Sequence, residues 1–363
     1  MSDSGPVAIS AAQSPQGAAT PSDALAHRPL SLRRNFSWTF VGTAVYSACQ
    51  WGMLVVLAKL GNPEMVGLFT LGLAVTAPVL MFTNLALRAV QATDARREYA
   101  FGDYLGLRLM MTLAALAVIA GVTVASGYRG EKAAVMLLIG LAKAFESISD
   151  IFYGLLQQRE QMDRIAISMM LKGVLSLAVL GGAVLLTGSI LWGVAGLAAT
   201  WFVLLGIYDV RSGAWVLGSG SPARVWGAIR PQWSPRTLAR LAWVALPLGF
   251  VMMLISLNTN IPRYVIERDA GAYELGIFAA MAYLMTASTT AVSALGQSAS
   301  PRLAQHYAAG DISAFRSLLL KLVAIGGLLG LGDIGVAAIG GRQLLTLLYR
   351  PEYAIYTGVD RIF

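Results

Sequence analysis

The sequence predicts an all-α integral membrane protein that crosses the bilayer many times. Three observations carry that prediction. Hydrophobic residues make up 56% of the 363 positions and charged residues only 13%, about half the charge of a soluble domain. Apolar runs of the roughly 20 residues needed to cross a bilayer recur along the whole chain. The Lys and Arg residues behind the net charge of +8 fall mostly between those runs, as topology-setting charges do. This placement argues against a nucleic-acid partner. The single cysteine, Cys49, rules out a disulfide within one chain, and only two histidines, His27 and His306, are present. A His/Cys metal site is therefore not expected, and no cofactor is implied.

Residues 1–34 are rich in Ala, Ser and Pro and have no apolar core; such composition predicts a disordered tail. It lacks the short apolar stretch of a cleavable secretory signal, so the first membrane helix is expected to act as an uncleaved anchor. Nine spans follow, at about 36–59, 66–88, 106–126, 133–156, 165–187, 189–209, 241–261, 275–297 and 316–339, and a tenth begins near 353. The segments 35–210 and 241–363 form the two predicted lobes, joined by a basic linker at 211–240 that is rich in Gly, Ser and Pro. With the N-terminus inside, the cytoplasmic segments collect Arg33, Arg34, Arg96, Arg97, Arg108, Arg159, Arg164, Arg211 and Arg240 among others. The outer loops hold fewer cations and are short. This bias predicts a cytoplasmic N-terminus, and the short outer loops leave no room for an extracellular catalytic domain.

An internal echo supports two lobes. Glu64-Met65-Val66-Gly67-Leu68-Phe69 opens the second span, and Glu274-Leu275-Gly276-Ile277-Phe278 opens the eighth. An acidic residue, an aliphatic, Gly, an aliphatic and Phe thus occupy matching places in each lobe, the pattern of a parallel repeat.

The fourth span is the most informative. Lys143, Glu146, Asp150 and Gln157 are spaced by three, four and seven residues, with Ser147 and Tyr153 beside them, which puts them along one helical face. At 1.5 Å of rise per residue, Lys143 and Glu146 lie roughly 16–20 Å from either helix end. Ionisable groups at that depth cost about 2.5–3.5 kcal/mol each on insertion scales and mark function by default. The plainer alternative is a Lys143–Glu146 pair that locks two helices together. Lys172 lies about 12 Å in from Arg164 by helical rise, placed either to face a lumen or to snorkel. Arg88 closes the second span. Arg263 ends the seventh, beside Asn258, Asn260 and Pro262, and Asp333 lies within the ninth. Gln50 and Asn84 are expected to serve as interhelical hydrogen-bond partners. No phosphate-cradling loop, nucleophile elbow, zinc motif or dinucleotide loop occurs, so an enzyme is not predicted.

At four places the sequence resembles the polysaccharide-transporter branch of the multidrug/oligosaccharidyl-lipid/polysaccharide exporter superfamily. They are Leu60-Gly61-Asn62-Pro63-Glu64 running into Phe69, Tyr153-Gly154-Leu155-Leu156-Gln157 running to Met162, Ser300-Pro301-Arg302-Leu303-Ala304 with Gly310-Asp311, and Leu347-Leu348-Tyr349-Arg350-Pro351-Glu352-Tyr353. The resemblance runs from about residue 35 onward. It implies a flippase in the bacterial inner membrane that moves an undecaprenyl-diphosphate-linked oligosaccharide by ion-coupled alternating access. The implied partners are the bilayer, that lipid-linked oligosaccharide, and the polysaccharide polymerase and glycosyltransferases of the same pathway. Lys143, Lys172, Arg88 and Arg263 would attract the anionic headgroup. Glu146, Asp150 and Asp333 would pair with these cations or carry a coupling ion. The same resemblance implies a two-lobe helical transporter fold with a six-helix N-lobe and an incomplete C-lobe that stops about three helices short, so a truncated product, or a remainder supplied by another chain, is expected. The rival functions are a drug/cation antiporter of the same superfamily, a polysaccharide polymerase or ligase, and a non-functional fragment.

Overall fold

Each membrane helix begins where local chemistry allows it. In the computed structural model, which describes residues 32–94, 98–217, 229–282, 306 and 310–349, only helices and their connections occur. Helix α1 spans Leu32–Leu60, α2 Pro63–Thr83, α3 Leu87–Thr93, α4 Phe101–Ala125, α5 Gly130–Gln158 and α6 Met162–Thr187. Helix α7 (Ile190–Leu204) runs through a π-helical turn, Leu205–Asp209, into α8 (Val210–Leu217). Helix α9 spans Pro235–Ala270, α10 Ala272–Ala282 and α11 Ile312–Leu348.

The caps show why the chain turns where it does. Asn62 accepts the Met65 N–H at 2.9 Å and is followed by Pro63, so one residue satisfies an orphan donor while the next has no donor to lose. The Asp103 carboxylate accepts the Ala100 N–H at 3.0 Å to start α4. Gly188 ends α6 at φ +65°, a left-handed conformation that suits Gly, and Ser189 caps α7 through the Leu191 N–H.

Seven of these helical stretches are long and apolar enough to cross a membrane. The chain is an all-α, multi-pass membrane protein. The charge-bearing α5 is not among the seven; at 29 residues it is long enough. Apolar side chains such as Leu113, Leu186, Trp192, Phe202 and Leu328 are exposed on the outer surface, where hydrocarbon replaces water as solvent. Inside, α1 packs along α6, α6 against α7, and α5 against α2, α4 and α7, while α9 lies on α2.

Several helix boundaries correct the sequence reading: α4 starts at Phe101, and α9 spans Pro235–Ala270, so Arg263 lies within a helix and not at its end. The second span does not run to Arg88: α2 stops at Thr83, and Leu85 and Ala86 take left-handed conformations at φ +50° and +48° before α3 begins. Neither residue is Gly, so both positions are strained. The break lets Asn84 and Arg88 both point inward. The sixth apolar stretch continues past residue 209 to Leu217, which puts Asp209 inside a helix and not at its end.

The echoed motifs meet in space. A Cβ added at Gly67 would collide with the Ala272 carbonyl oxygen, and one at Gly276 with the Pro63 carbonyl oxygen. Each glycine faces the first residue of the other helix, four positions back in its own motif, so the crossing of α2 and α10 is reciprocal. Helices α2, α5, α7 and α10 all begin at this end of the bundle, called the far end below. The opposite end, where α1 starts, is the near end.

At the far end α5 is also tied to the last turn of α9. Lys132 pairs with Glu267, and Tyr128 donates to Glu267 Oε2 at 2.9 Å. Tyr128 lies in the loop between α4 and α5. Burial, reinforced by the neighbouring Glu267 carboxylate, pushes its phenol well above the usual range, so it stays a donor at physiological pH. Replacing Lys132 by Glu is expected to cost about 2 kcal/mol, the scale of a hydrogen bond to a charged group. Exchanging the pair, Lys132→Glu with Glu267→Lys, is expected to recover most of that loss, and thermal unfolding of the purified variants measures both.

Candidate functional site

The polar face of α5 opens onto a cavity of about 590 Å³. Its walls carry Arg88, Lys143, Lys172 and Arg263 together with Glu146 and Asp150. Six of the seven candidate residues named from sequence therefore share one chamber. The seventh, Asp333, lies on α11, and its side chain is outside what the structure describes. Tyr46 from α1, Thr76 from α2 and Asn84 just past its end, Ser147 and Tyr153 from α5, and Asn260 from α9 complete the polar lining.

The charges form three groups. In the first, Lys143 Nζ donates to Glu146 Oε2 at 2.7 Å and lies 4.9 Å from the centre of the Trp201 ring. Tyr46 donates to the other Glu146 oxygen at 2.5 Å. Both oxygens of that carboxylate are thus satisfied, one of them by a neighbour on the same helix. The interhelical tie at Glu146 comes from Tyr46.

The second group centres on Asp150. Arg88 Nη1 approaches Oδ1 at 3.2 Å and Arg108 Nη2 approaches Oδ2 at 3.4 Å. Arg88 also donates from Nε to Gln157 Oε1 at 3.0 Å, and its guanidinium lies 5.5 Å from the Tyr153 ring centre. Arg108 donates to Asn84 and to Ser147, the latter at 3.1 Å. Arg108 is fully buried. The sequence reading placed it among the topology-setting cytoplasmic arginines because the third span was started at 106. The helix in fact starts at Phe101, which carries Arg108 two turns inward. A guanidinium without solvent needs a counter-charge, and Asp150 supplies it. Asn84 accepts from both α4 and α5, as its expected interhelical role requires.

The third group was not foreseen. Lys172 is only 1% exposed, so it does not snorkel, and its Nζ pairs with Asp209 Oδ2 at 2.8 Å. Asp209 is 0% exposed. Lys172 Nζ also donates to the Tyr153 hydroxyl at 2.9 Å, and Ser168 Oγ donates to Asp209 Oδ1 at 2.5 Å. Ser168 has one proton, and a carboxylate only accepts. The 2.7 Å contact between Tyr153 and Ser168 is therefore donated by Tyr153. Lysine to tyrosine to serine to aspartate, and lysine to aspartate directly, closes a ring of hydrogen bonds. The signal for Asp209 was an acidic residue in an apolar stretch that continues for eight residues beyond it.

Arg263 stands apart. It donates to Asn260 Oδ1 at 2.6 Å and has no carboxylate partner among the described residues, and its Nε is buried without a hydrogen-bond acceptor. The lining thus carries four cations and two carboxylates. Behind the wall, Arg108 and Asp209 add one charge of each sign, so the chamber keeps an excess of two positive charges. Among the described residues no group of three or more His, Cys, Asp or Glu could hold a metal ion.

Comparison with known proteins agrees with this architecture. The polysaccharide biosynthesis protein family matches residues 32–306. The capsular polysaccharide biosynthesis protein CapF of Staphylococcus aureus is 28% identical over 320 residues, covering 88% of this chain and 78% of CapF. Among solved structures, an inward-facing multidrug resistance MATE family transporter of the MOP superfamily superposes with a TM-score of 0.63 at 16% identity, over 89% of this chain and 78% of that one. A MOP superfamily transporter from Pyrococcus furiosus, described as having a binding pocket of reverse polarity, gives a TM-score of 0.54 at 16% identity, over 89% and 74%. At such identities the structural likeness establishes the transporter fold. The family match establishes more: the chain belongs to the polysaccharide biosynthesis protein family, the polysaccharide branch of the exporter superfamily that its sequence resembled.

Proposed function

We propose that this protein is a flippase that moves an undecaprenyl-diphosphate-linked oligosaccharide across the bacterial inner membrane, with its N-terminus in the cytoplasm and by ion-coupled alternating access. The observation that supports this reading best is the twofold positive excess of the chamber. A diphosphate brings anionic oxygens of matching sign, and Lys and Arg are their natural partners. Both carboxylates in the lining are already engaged, Glu146 by Lys143 and Tyr46 and Asp150 by two arginines. A cationic drug would find surplus positive charge and no free acid, which disfavours the antiporter alternative. Polar lining such as Asn84, Ser147 and Asn260 suits sugar hydroxyls. The lipid tail would remain in the hydrocarbon around the helices. The polymerase and glycosyltransferases of the same pathway are the functional partners that follow.

Arg263 is the cation most available to the headgroup. In cells relying on this protein for surface polysaccharide, Arg263→Gln is expected to lower export about tenfold or more, the worth of one charge-assisted hydrogen bond. Arg263→Lys is expected to keep part of the activity, since charge survives and only the fork geometry is lost. Normal export by Arg88→Gln/Arg263→Gln at parental protein levels would sink the proposal.

A further inference from the structure

We propose that Asp209 is a proton site coupled to cargo binding, and that Lys172 works the coupling by exchanging one anion for another. The proposal rests on reading the chamber as a diphosphate site. Lys172 belongs both to the cavity wall and to the buried ring, in which its ammonium holds Asp209 Oδ2 at 2.8 Å. Asp209 has two partners, Lys172 and Ser168, and no exposure. It sits at the end of the π-helical turn Leu205–Asp209, a device that often marks functional positions because its wider turn re-aims a side chain.

An anionic phosphoryl oxygen entering the chamber offers Lys172 a second counter-charge. A flexible four-carbon stem lets the ammonium follow it. Asp209 would then be a buried carboxylate without its cation, a state that costs several kcal/mol. Taking one proton from the cavity water removes that cost. Tyr153 still donates to Ser168 and Ser168 to Oδ1, so the neutral carboxyl keeps one of its partners while its Oδ2–H takes the side that Lys172 has left. The balance is simple: one proton moves from solvent to Asp209, and Lys172 keeps its charge throughout.

The surroundings leave this exchange to Asp209. On α5, Tyr153 is in the ring, and Glu146 is held by Lys143 and Tyr46. On α6, Ser168 is in the ring, and Arg164 stacks on Trp215 at 3.7 Å, with Asp163 beside it. Arg88 of α3 lies over the Tyr153 face and is held by Asp150 and Gln157. On the helix of Asp209 itself, the neighbouring ionisable groups are Tyr208 and Arg211.

The test uses the full-length protein in nanodiscs, with farnesyl diphosphate as probe. Calorimetric titration in buffers of different ionisation heat counts protons taken up on binding. At about pH 8 the probe is fully ionised, and its own deprotonation in a cationic site could only release protons, the opposite sign. The parent is expected to take up about one proton per ligand. Asp209→Asn is expected to bind without uptake. If that variant folds poorly, Lys172→Met/Asp209→Leu removes both buried charges together and is expected to bind more weakly, also without uptake. Uptake that persists in either variant overturns the proposal. So does binding by the parent with no uptake, which leaves the flippase reading intact. Failure of the parent to bind the probe would overturn both.

Discussion

Asp150→Leu is expected to destabilise this protein by about 3–5 kcal/mol. Arg108 has no solvent contact, and Asp150 supplies its counter-charge at 3.4 Å. Breaking such a pair leaves an uncompensated buried charge, whose cost exceeds what the pair itself contributes. Arg88, the other cation on Asp150, is about a third exposed to the cavity and can hydrate. The loss should therefore be traceable to Arg108. Removing both members, Arg108→Met/Asp150→Leu, is expected to recover most of the stability, because an apolar pair of similar volume carries no desolvation cost. Thermal unfolding of detergent-purified parent, single and double variants gives the coupling directly. A single variant as stable as the parent would mean that Arg108 finds another anion. A double variant no better than the single would place the cost in packing.

Gly67→Leu is expected to disrupt the far-end crossing of α2 and α10, with loss of folded protein from the membrane fraction or a fall of several degrees in Tm. Even a Cβ at this position meets the Ala272 carbonyl oxygen, which is backbone and cannot swing away. The helices must separate, and the layer formed by Leu71, Met136 and Leu275 must open with them. Overpacking of this kind typically costs about 1–3 kcal/mol. Gly276→Leu should do the same through Pro63, because the contact is reciprocal. Similar losses in both variants would support the two motifs as halves of one pseudo-symmetric joint. Parental stability for Gly276→Leu would show that only one side is close-packed. By contrast, Gly182 on α6 has open space beyond it, so Gly182→Leu serves as a control.

The fold class was written in composition. An apolar fraction of 56%, recurring long runs, and cations that fall mostly between them leave few alternatives to a helical membrane protein. The polar face of α5 was equally legible, because a spacing of three and four residues has one geometric meaning on a helix. Lys143, Glu146 and Asp150 do share a wall of one cavity, since neighbours on one helical face need no tertiary information to be near each other. The meeting of Gly67 and Gly276 was half visible: the motifs could be matched, but not their contact.

What the sequence left open was pairing between helices and the true ends of helices. Arg108 read as a loop charge and Asp209 as a helix end because hydropathy alone blurs a boundary by several residues. A shift of five residues turns an interfacial charge into a buried one. Lys172 stood between snorkelling and facing a lumen, and no local rule decides that, because its counter-ion is 37 positions away on another helix. The break at Leu85 and Ala86 could not be read either, as neither residue favours a positive φ; surrounding packing holds them there. The chain by itself therefore determined that it crosses a membrane repeatedly, that it belongs with polysaccharide exporters, and which face of one helix is charged. Only the tertiary structure decided how those charges are neutralised, because an ion pair is a property of two helices brought together. It is that pairing which leaves the chamber with two positive charges to spare.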